Sequence, residues 1–196
     1  MLSSQSQSLS QAGSVPAQRR IIRCVESYFL TSNGDIFGLP AAFLKARVPI
    51  ISDMLSLPAV PGQTAEGQSP ENPITMPMVS TEQLQTLSDF CFMPRDCLKG
   101  NFNHLVMLLH TSDALGCDGA HTYALDELPK CKEWTLVQQL RLAVAYNIRP
   151  WLVSSFKALI RRPASDITVE ECLMLGFKIL HDLDLARDEV DKHRRR

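Results

Sequence analysis

The chain has 196 residues, 45% of them hydrophobic and 21% charged, which suffices for one ordinary domain with an appendage or for two very small domains. Its formal net charge of −1 excludes a field strong enough to gather nucleic acid or anionic lipid over the whole molecule. No apolar run approaches the roughly 18 residues that a membrane span needs, so no membrane association is expected.

Residues 1–20 are rich in Ser and Gln and show no apolar periodicity, so we predict a disordered tail. The stretch also lacks the order of basic, apolar and small residues that marks a secretory signal. The six cysteines are therefore expected as free thiols in a reducing compartment. We predict an intracellular protein, cytoplasmic or nuclear.

The first predicted structure is a β-hairpin that begins near Ile21. Strand-prone residues flank Asn33 and Gly34, the pair best suited to the positive φ angles of a type I′ turn. Pro40 suits the first turn of a short helix, "AAFLKA", and Pro49 can open a second one, "IISDMLSL", which Pro58 ends. Apolar residues lie on more than one side of these two helices.

A loop rich in Pro, Gly and small polar residues, "PAVPGQTAEGQSPENP", precedes a short strand, "ITMP". Ser80 and Gln83 then form a capping box, and Val79 with Leu84 forms a hydrophobic staple around it. They predict a helix, "TEQLQTLSDFCF", with an apolar face of Leu84, Leu87, Phe90 and Cys91. Another apolar helix, "NFNHLVMLLHTSDALG", stops at Gly116.

The second half of the chain is predicted to be helical only. One helix carries a stripe of Leu136, Leu140 and Val144, with Val137 and Ala143 beside it. The next, "PWLVSSFKALIRR", has the same character, and a capping box of Thr168 and Glu171 opens the last helix. Strands with short helices followed by helices alone predict an α+β fold with a C-terminal helical extension. The predicted segments are the domain at 21–128, the extension at 129–191 and a basic tail at 192–196.

Thiols and imidazoles suggest a metal or catalytic site in three pairs, namely Cys91 and Cys97, His104 and His110, and Cys117 and His121. Cys91 and Cys97 are more widely spaced than paired zinc ligands usually are. His104 and His110 lie six positions apart on one predicted helix, which places them on different faces. A nucleophilic cysteine also needs an activating base and a lowered pKa, and the sequence shows neither. We therefore expect no enzyme, no metal and no cofactor; a small thiol- or zinc-dependent enzyme or a zinc-binding protein is the alternative.

Aromatic residues of the hairpin, Tyr28, Phe29 and Phe37, suggest a base-stacking platform, but basic residues do not interleave with them. The sequence contains no phosphate-binding glycine pattern and no Gly-x-Ser-x-Gly elbow. Direct binding of nucleic acid is therefore not expected.

The stretch "GDIFGLPAAFLKARVPIISDML" resembles the signature of the BTB/POZ family, especially the divergent BTB-domain proteins of mushroom-forming fungi. Phe37, Leu39, Phe43 and Leu44 stand at apolar positions of that signature, and Met54-Leu55 closes it, followed by "SLP". Later stretches resemble the family's third strand, the helices after it and the helical segment beyond the core, "ENPITMPMVSTEQLQTLSDFCF", "NHLVMLLHTSDALG" and "LRLAVAYNIRPWLVSSFKALIRRP". The resemblance covers about residues 24–190.

Four positions depart from the family pattern. Pro40 replaces a His, Val48 a frequent Ser and Ile51 a Phe, and Ser27 stands where the first strand has an acidic residue. Loss of the His removes a polar contact that family members keep near their dimer surface.

The resemblance implies a small BTB/POZ-like sheet flanked by a cluster of short helices, and binding in place of catalysis. Members of the family pair with themselves or with relatives, and many recruit a cullin-3 scaffold that delivers targets for ubiquitination. Homo- or hetero-oligomers and a cullin-3-type partner are therefore expected, in protein turnover or transcriptional regulation. The positions that match the family's dimer-side elements are Phe43, Ile50, Ile51, Met54 and Leu55.

The apolar pattern of the two short helices supports this expectation on physical grounds. A short helix that is apolar on several sides must be enclosed by its own fold or must cover a partner, because a large apolar patch in water favours association. The sequence alone leaves open which of the five residues face the protein's own core.

Overall fold

The computed structural model describes residues 26–58 and 64–194. The predicted tail at 1–20, the predicted start near Ile21 and part of the predicted loop at 58–73 lie outside these ranges, as do the last two residues. The described chain is an α+β fold with a small mixed sheet and eight α-helices. Two of the helices lie between the second and third strands, and the other six follow the third strand. The predicted fold class is thereby confirmed.

The sheet consists of three strands in the order β2-β1-β3, and they are β1 at Glu26–Thr31, β2 at Ile36–Pro40 and β3 at Ile74–Met76. β1 pairs antiparallel with β2, with Phe29 opposite Phe37. It pairs in parallel with β3, where Phe29 also lies beside Ile74. Phe29 is fully buried, so the centre of the sheet lies over the core. The predicted hairpin and third strand are confirmed.

The turn of the hairpin differs from the predicted type I′ turn. Gly34 has a φ of 88°, whereas Asn33 does not have a positive φ. The Gly34 amide donates to the Thr31 carbonyl at 3.0 Å, and the Thr31 amide donates to the Asp35 carbonyl at 2.9 Å. This is a three-residue loop in which a glycine in the left-handed region follows the turn, a common alternative to the two-residue loop.

The helices, in chain order, are α1 at Ala41–Arg47, α2 at Pro49–Met54, α3 at Thr81–Phe92, α4 at Phe102–Leu115, α5 at Asp118–Glu127, α6 at Leu136–Ala145, α7 at Arg149–Arg161 and α8 at Val169–Arg194. Proline opens α2, as predicted. That helix ends at Met54, whereas the prediction extended it to Leu57, directly before Pro58. α4 ends at Leu115, and the next residue, Gly116, caps it with a φ of 65°, which confirms the predicted stop.

Both predicted capping boxes are present. In the first, the Gln83 amide donates to Ser80 Oγ at 3.2 Å, and the Ser80 amide donates to Gln83 Oε1 at 2.7 Å. In the second, the Glu171 amide donates to Thr168 Oγ1 at 3.2 Å, and the Thr168 amide donates to Glu171 Oε2 at 3.0 Å. Each box satisfies amides that the first helical turn leaves without an intrahelical acceptor.

Two groups of buried apolar residues hold the described chain together. The main core lies among the sheet, the helices from α1 to α5 and one side of α6, where Leu142 and Ala143 are buried. The second core joins α6, α7 and α8 through Val137, Leu140, Leu159, Leu175 and Leu183. α6 therefore packs on two sides.

The predicted stripe on α6 is wrong at its edges, because Leu136 and Val144 are exposed. Leu140, Val137 and Ala143 are fully buried. The stripe prediction assumes one buried face, and a helix between two cores buries a different set of residues. In the described ranges, no helix is both long and apolar enough to cross a membrane.

Candidate protein-binding surface

The five residues predicted to bind a partner divide into three environments. Phe43 on α1 is 52% exposed. Ile50, Met54 and Leu55 are half-buried and pack against the main core. Ile51, predicted as an interaction residue, is instead fully enclosed by its own chain and belongs to the core. Of the five, Phe43 alone is exposed.

The placement of Phe43 follows from the geometry of α1. Leu44 is fully buried beneath this seven-residue helix. Successive helical residues are rotated by about 100°, so the preceding side chain is carried out of the core. The Phe43 ring then meets the ring of Phe92, the last residue of α3, with centroids 5.4 Å apart and planes inclined by 59°.

Arg47 fixes this aromatic pair in place. Its guanidinium lies 5.8 Å from the centroid of the Phe43 ring. Its Nη1 donates to the Cys91 carbonyl at 2.7 Å, which connects the end of α1 to the end of α3. A cation over an exposed ring contributes about 0.5–1 kcal/mol, and a tilted ring pair a similar amount. These contacts therefore restrict the position of the Phe43 ring.

We call this surface the α1–α3 face, and it consists of Phe43, Arg47, Phe92 and Met93. Met93 follows Phe92 directly and is exposed. An apolar group that is already ordered loses little side-chain entropy on binding. The face is therefore suited to bury an apolar or aromatic group of another protein.

The sequence reasoning missed Phe92, Met93 and Arg47 as members of this face. Phe92 and Met93 fall at the end of α3, where the apolar periodicity of the helix stops being informative. Arg47 is the last residue of α1 and belongs to no recognisable motif. The only signal in the sequence was an aromatic residue one position beyond the predicted buried stripe of α3.

The cysteines that could support thiol chemistry are mostly packed in the core. Cys91 and Cys117 are both buried, and the Cys117 thiol donates to the Arg47 carbonyl at 3.2 Å. Burial raises the pKa of both thiols, and it raises the pKa of Cys131 as well. A raised pKa leaves less thiolate, which is the reactive form. Cys97 is exposed, and Cys24 lies outside the described residues.

The His and Cys residues that were weighed as a metal site lie in different environments, with Cys91 and Cys117 buried. His104 and His110 are exposed on α4, and the Tyr146 hydroxyl lies 3.2 Å from Nδ1 of His110. Within residues 26–58 and 64–194, no three His, Cys, Asp or Glu side chains are grouped so that they could hold a metal ion. These side chains therefore form no coordination set in the described part of the chain.

Cys97 opens onto a cleft of about 420 Å³ that also borders Lys99 and Glu133. The described residues that line this cleft include no imidazole that could act as a base toward the thiol. The arrangement offers a thiol, an amine and a carboxylate on an open surface.

A second exposed apolar surface lies on α8 and was also missed by the sequence reasoning. Val169, Leu173 and Phe177 are 71%, 79% and 85% exposed. Val169 and Leu173 lie four residues apart in the first part of α8, whereas Phe177 follows Gly176, whose backbone angles are not helical. The spacing was the available signal in the sequence, but the same pattern describes a buried helix face.

No protein-family model and no curated protein matches this chain.

Proposed function

We propose that this chain is a non-enzymatic protein–protein interaction module of the BTB type, which forms homo- or hetero-oligomers. In this proposal it acts as an adaptor in cullin-dependent ubiquitination or in transcriptional regulation, with a cullin-3-type scaffold as one partner. The observation that carries the proposal is the exposed pair of Phe43 and Phe92, held by Arg47.

A binding role is supported by the free energy that the exposed aromatic pair would gain if a partner removed it from water. Two large rings and the neighbouring Met93 present apolar surface that gains free energy, at roughly 25 cal/mol per Å², when a partner covers it. Aromatic and Arg side chains are also the residue types enriched at the energetic centres of protein interfaces. The α1–α3 face combines both types.

The charge on the face indicates which partner groups it favours. Lys45 and Arg47 lie in the last turn of α1, and the Arg47 guanidinium lies 5.8 Å from the centroid of the Phe43 ring. A partner that offers an apolar side chain flanked by carboxylates would bury the rings and pair with these cations. Such charge complementarity contributes to specificity and to the association rate.

The resemblance to BTB proteins supports the class of partner. The signature residues Phe37, Leu39 and Leu44 lie on β2 and α1, which adjoin the face. Leu39 and Leu44 are buried, in keeping with a structural role for the signature, and Phe43 within the same stretch remains exposed. The core positions would thus support the fold while Phe43 contacts the partner.

A single substitution tests the proposal. Phe43→Asp places a charge in the face without removing a buried side chain, and we expect at least tenfold weaker binding to a purified cullin-3-type N-terminal region or to a related BTB chain. Isothermal titration calorimetry measures the change. Met54→Asp with Leu55→Asp is less informative, since both side chains pack against the main core and the double variant is expected to unfold.

Val153→Asp is the matched control, because Val153 also lies on a helix and is 44% exposed. It should bind within twofold of the unaltered chain. Equal affinity of Phe43→Asp and the unaltered chain would contradict the proposal, as would the absence of binding to every partner tested.

A further inference from the structure

β2 lies at the edge of the sheet, and the described chain places no strand on its outer side. In an antiparallel pair, every second residue of a strand directs its amide and carbonyl away from its neighbour. The Tyr28 amide of β1 points away from β2, because it donates at 2.9 Å to the carbonyl of Gly67, which lies against Ile74 of β3. Gly38 is opposite Tyr28, so its main-chain groups also point away from β1, and by the same alternation so do those of Ile36.

This outer edge of β2 is accessible. Ile36 is 48% exposed, and Gly38 is exposed and has no side chain that could cover the edge. An exposed strand edge is a template for pairing with another extended chain. In such strand addition, main-chain hydrogen bonds supply affinity, and pockets for alternate side chains supply specificity. Two residues of β2 therefore offer two amides and two carbonyls to an added strand.

A pocket for a side chain lies directly beside this edge. It is a cleft of about 360 Å³, and its apolar lining includes Phe37 of β2 and Met107 of α4. Phe37 lies opposite the buried Phe29, so both rings are on the core face of the sheet. In an added strand of either direction, the residue opposite Phe37 would point to the same face and would enter the cleft.

The charges of the cleft indicate which side chain it favours. Its described lining includes the carboxylates of Glu82 and Asp89 and no Lys or Arg, with His104 as the other titratable side chain. Gln85 Nε2 donates to Asp89 Oδ1 at 2.8 Å and so orients that carboxylate. A second copy paired through its own β2 would bring its carboxylates next to these. Charge therefore disfavours a second copy and favours a cationic segment of a different protein.

We propose that an extended segment of another protein adds to β2 as a strand and places an Arg side chain in the cleft. The residues flanking that Arg exchange main-chain hydrogen bonds with Ile36 and Gly38. The apolar stem of the Arg lies against Phe37, and its guanidinium pairs with Glu82 or Asp89. We call these five residues of the chain the β2 edge site.

The β2 edge site shares no residue with the α1–α3 face, so this inference goes beyond the proposed function. Phe43→Asp should leave binding at the β2 edge site unchanged. That variant therefore separates a failure of this inference from a failure of the proposed function.

The first experiment measures binding of a fluorescent peptide, acetyl-Thr-Val-Arg-Val-Thr-amide, to the full chain by fluorescence polarisation. We expect saturable binding with a dissociation constant below about 1 mM. The matched peptide with Glu in place of Arg should bind at least tenfold more weakly. Absence of saturable binding to the unaltered chain, or equal binding of the two peptides, would overturn the proposal.

The second experiment tests the main-chain contacts of the edge. Gly38→Pro removes one outward amide from β2, and proline is tolerated on an edge strand where the missing amide faces solvent. It should weaken binding of the Arg peptide at least fivefold. Gly38→Ala keeps the amide and is the control, which should bind within twofold of the unaltered chain. Equal binding by the proline and alanine variants would contradict strand addition.

The third experiment reverses the charge of the cleft and decides the question should Gly38→Pro lose its fold, which circular dichroism shows. Glu82→Lys with Asp89→Lys should reverse the preference, so that the Glu peptide binds more tightly than the Arg peptide. Asp126→Lys is the control, because Asp126 is exposed on α5 and does not line the cleft. An unchanged preference for the Arg peptide in the double variant would overturn the proposal.

Light scattering of the full chain tests the competing occupant. A dimer that Gly38→Pro converts to a monomer would place a second copy on the edge and would overturn the proposal. We expect the same molecular mass for the unaltered chain and for Gly38→Pro.

Discussion

Arg47 connects three parts of the molecule through different atoms. Its guanidinium lies over Phe43 and donates to the Cys91 carbonyl, and its own carbonyl accepts from the Cys117 thiol. The end of α1, the end of α3 and the residue before α5 therefore meet at one residue. The two cysteines here serve as small buried groups beside a cation.

This arrangement gives a prediction about thiol reactivity. Because burial raises the pKa of Cys91, Cys117 and Cys131, little thiolate is present at pH 8 and alkylating reagents also lack access. We expect iodoacetamide to modify Cys97 at least tenfold faster than these three in the native protein. Peptide mass spectrometry after timed quenching measures each site.

Denatured protein is the control, in which all of these thiols should react at similar rates. Faster modification of a buried cysteine than of Cys97 would indicate an activated thiol and would favour the alternative of a thiol-dependent enzyme.

Residue environments were only partly predictable from the sequence. Leu84, Leu87, Phe90 and Cys91 were correctly assigned to a buried face, because α3 is long enough for its period to define one side. α1 and α2 have seven and six residues, so their apolar positions do not define a face. The inward direction of Ile51 and the outward direction of Phe43 depend on how these short helices dock, which no local pattern encodes.

Gly176 interrupts α8 with a φ of 74° and a ψ of 161°. This backbone region is open almost exclusively to glycine. A Cβ at this position would meet no atom within 4 Å, so the requirement for glycine comes from the backbone alone. The break separates the capped start of α8 from the longer part that ends at Arg194.

The conformation of Gly176 predicts the effect of a small substitution. Gly176→Ala should lower the free energy of unfolding by about 1–3 kcal/mol, since alanine is strained in this region. Urea unfolding followed by circular dichroism measures the change.

Gly119 supplies the control on α5. A Cβ there also meets nothing within 4 Å, and its φ is not positive. Gly119→Ala should raise stability by about 0.4–1 kcal/mol, because alanine reduces the entropy of the unfolded chain. If Gly176→Ala proved equally stabilising, α8 would have to be continuous in solution.

Elements with local start and stop signals were predictable, and elements without them were not. Pro49 and the two capping boxes indicated the starts of α2, α3 and α8, and Gly116 indicated the end of α4. α5 was missed because its ten residues, "DGAHTYALDE", contain a glycine and no apolar stripe. It becomes a helix through packing on α4, where Ala120 and Ala124 are fully buried. The break at Gly176 also lacked a signal, since a lone glycine is tolerated within a helix.

The two cores of the described chain share α6. Leu142 and Ala143 lie in the main core, and Val137 and Leu140 lie in the second. The predicted boundary between the domain and the helical extension lies at residue 128, ahead of α6. α6 nevertheless contributes side chains to both cores. A helix shared in this way should couple the unfolding of the two cores.

A core substitution can measure this coupling. Leu159→Ala removes a fully buried side chain from the second core and should cost about 2–5 kcal/mol. Trp134 and Trp151, with ring centroids 4.8 Å apart, pack against the main core and report on it by fluorescence. We expect the fluorescence and circular dichroism transitions in urea to shift together.

The two cores would unfold independently if the fluorescence and circular dichroism transitions in urea were separate and the fluorescence transition were unchanged by Leu159→Ala. The conservative variant Leu159→Met should unfold close to the unaltered chain, because the two side chains have similar volumes.

The attachment of the last helix depends on a group that keeps its charge. Arg187 donates to two main-chain carbonyls at the end of α7, and its buried Nε has no hydrogen-bond partner among the described residues. Guanidinium ions remain protonated throughout the range in which proteins are folded, and carbonyls do not titrate. Acidification should therefore leave this anchor in place, so that any acid-induced release of α8 from the end of α7 has to begin at groups other than Arg187.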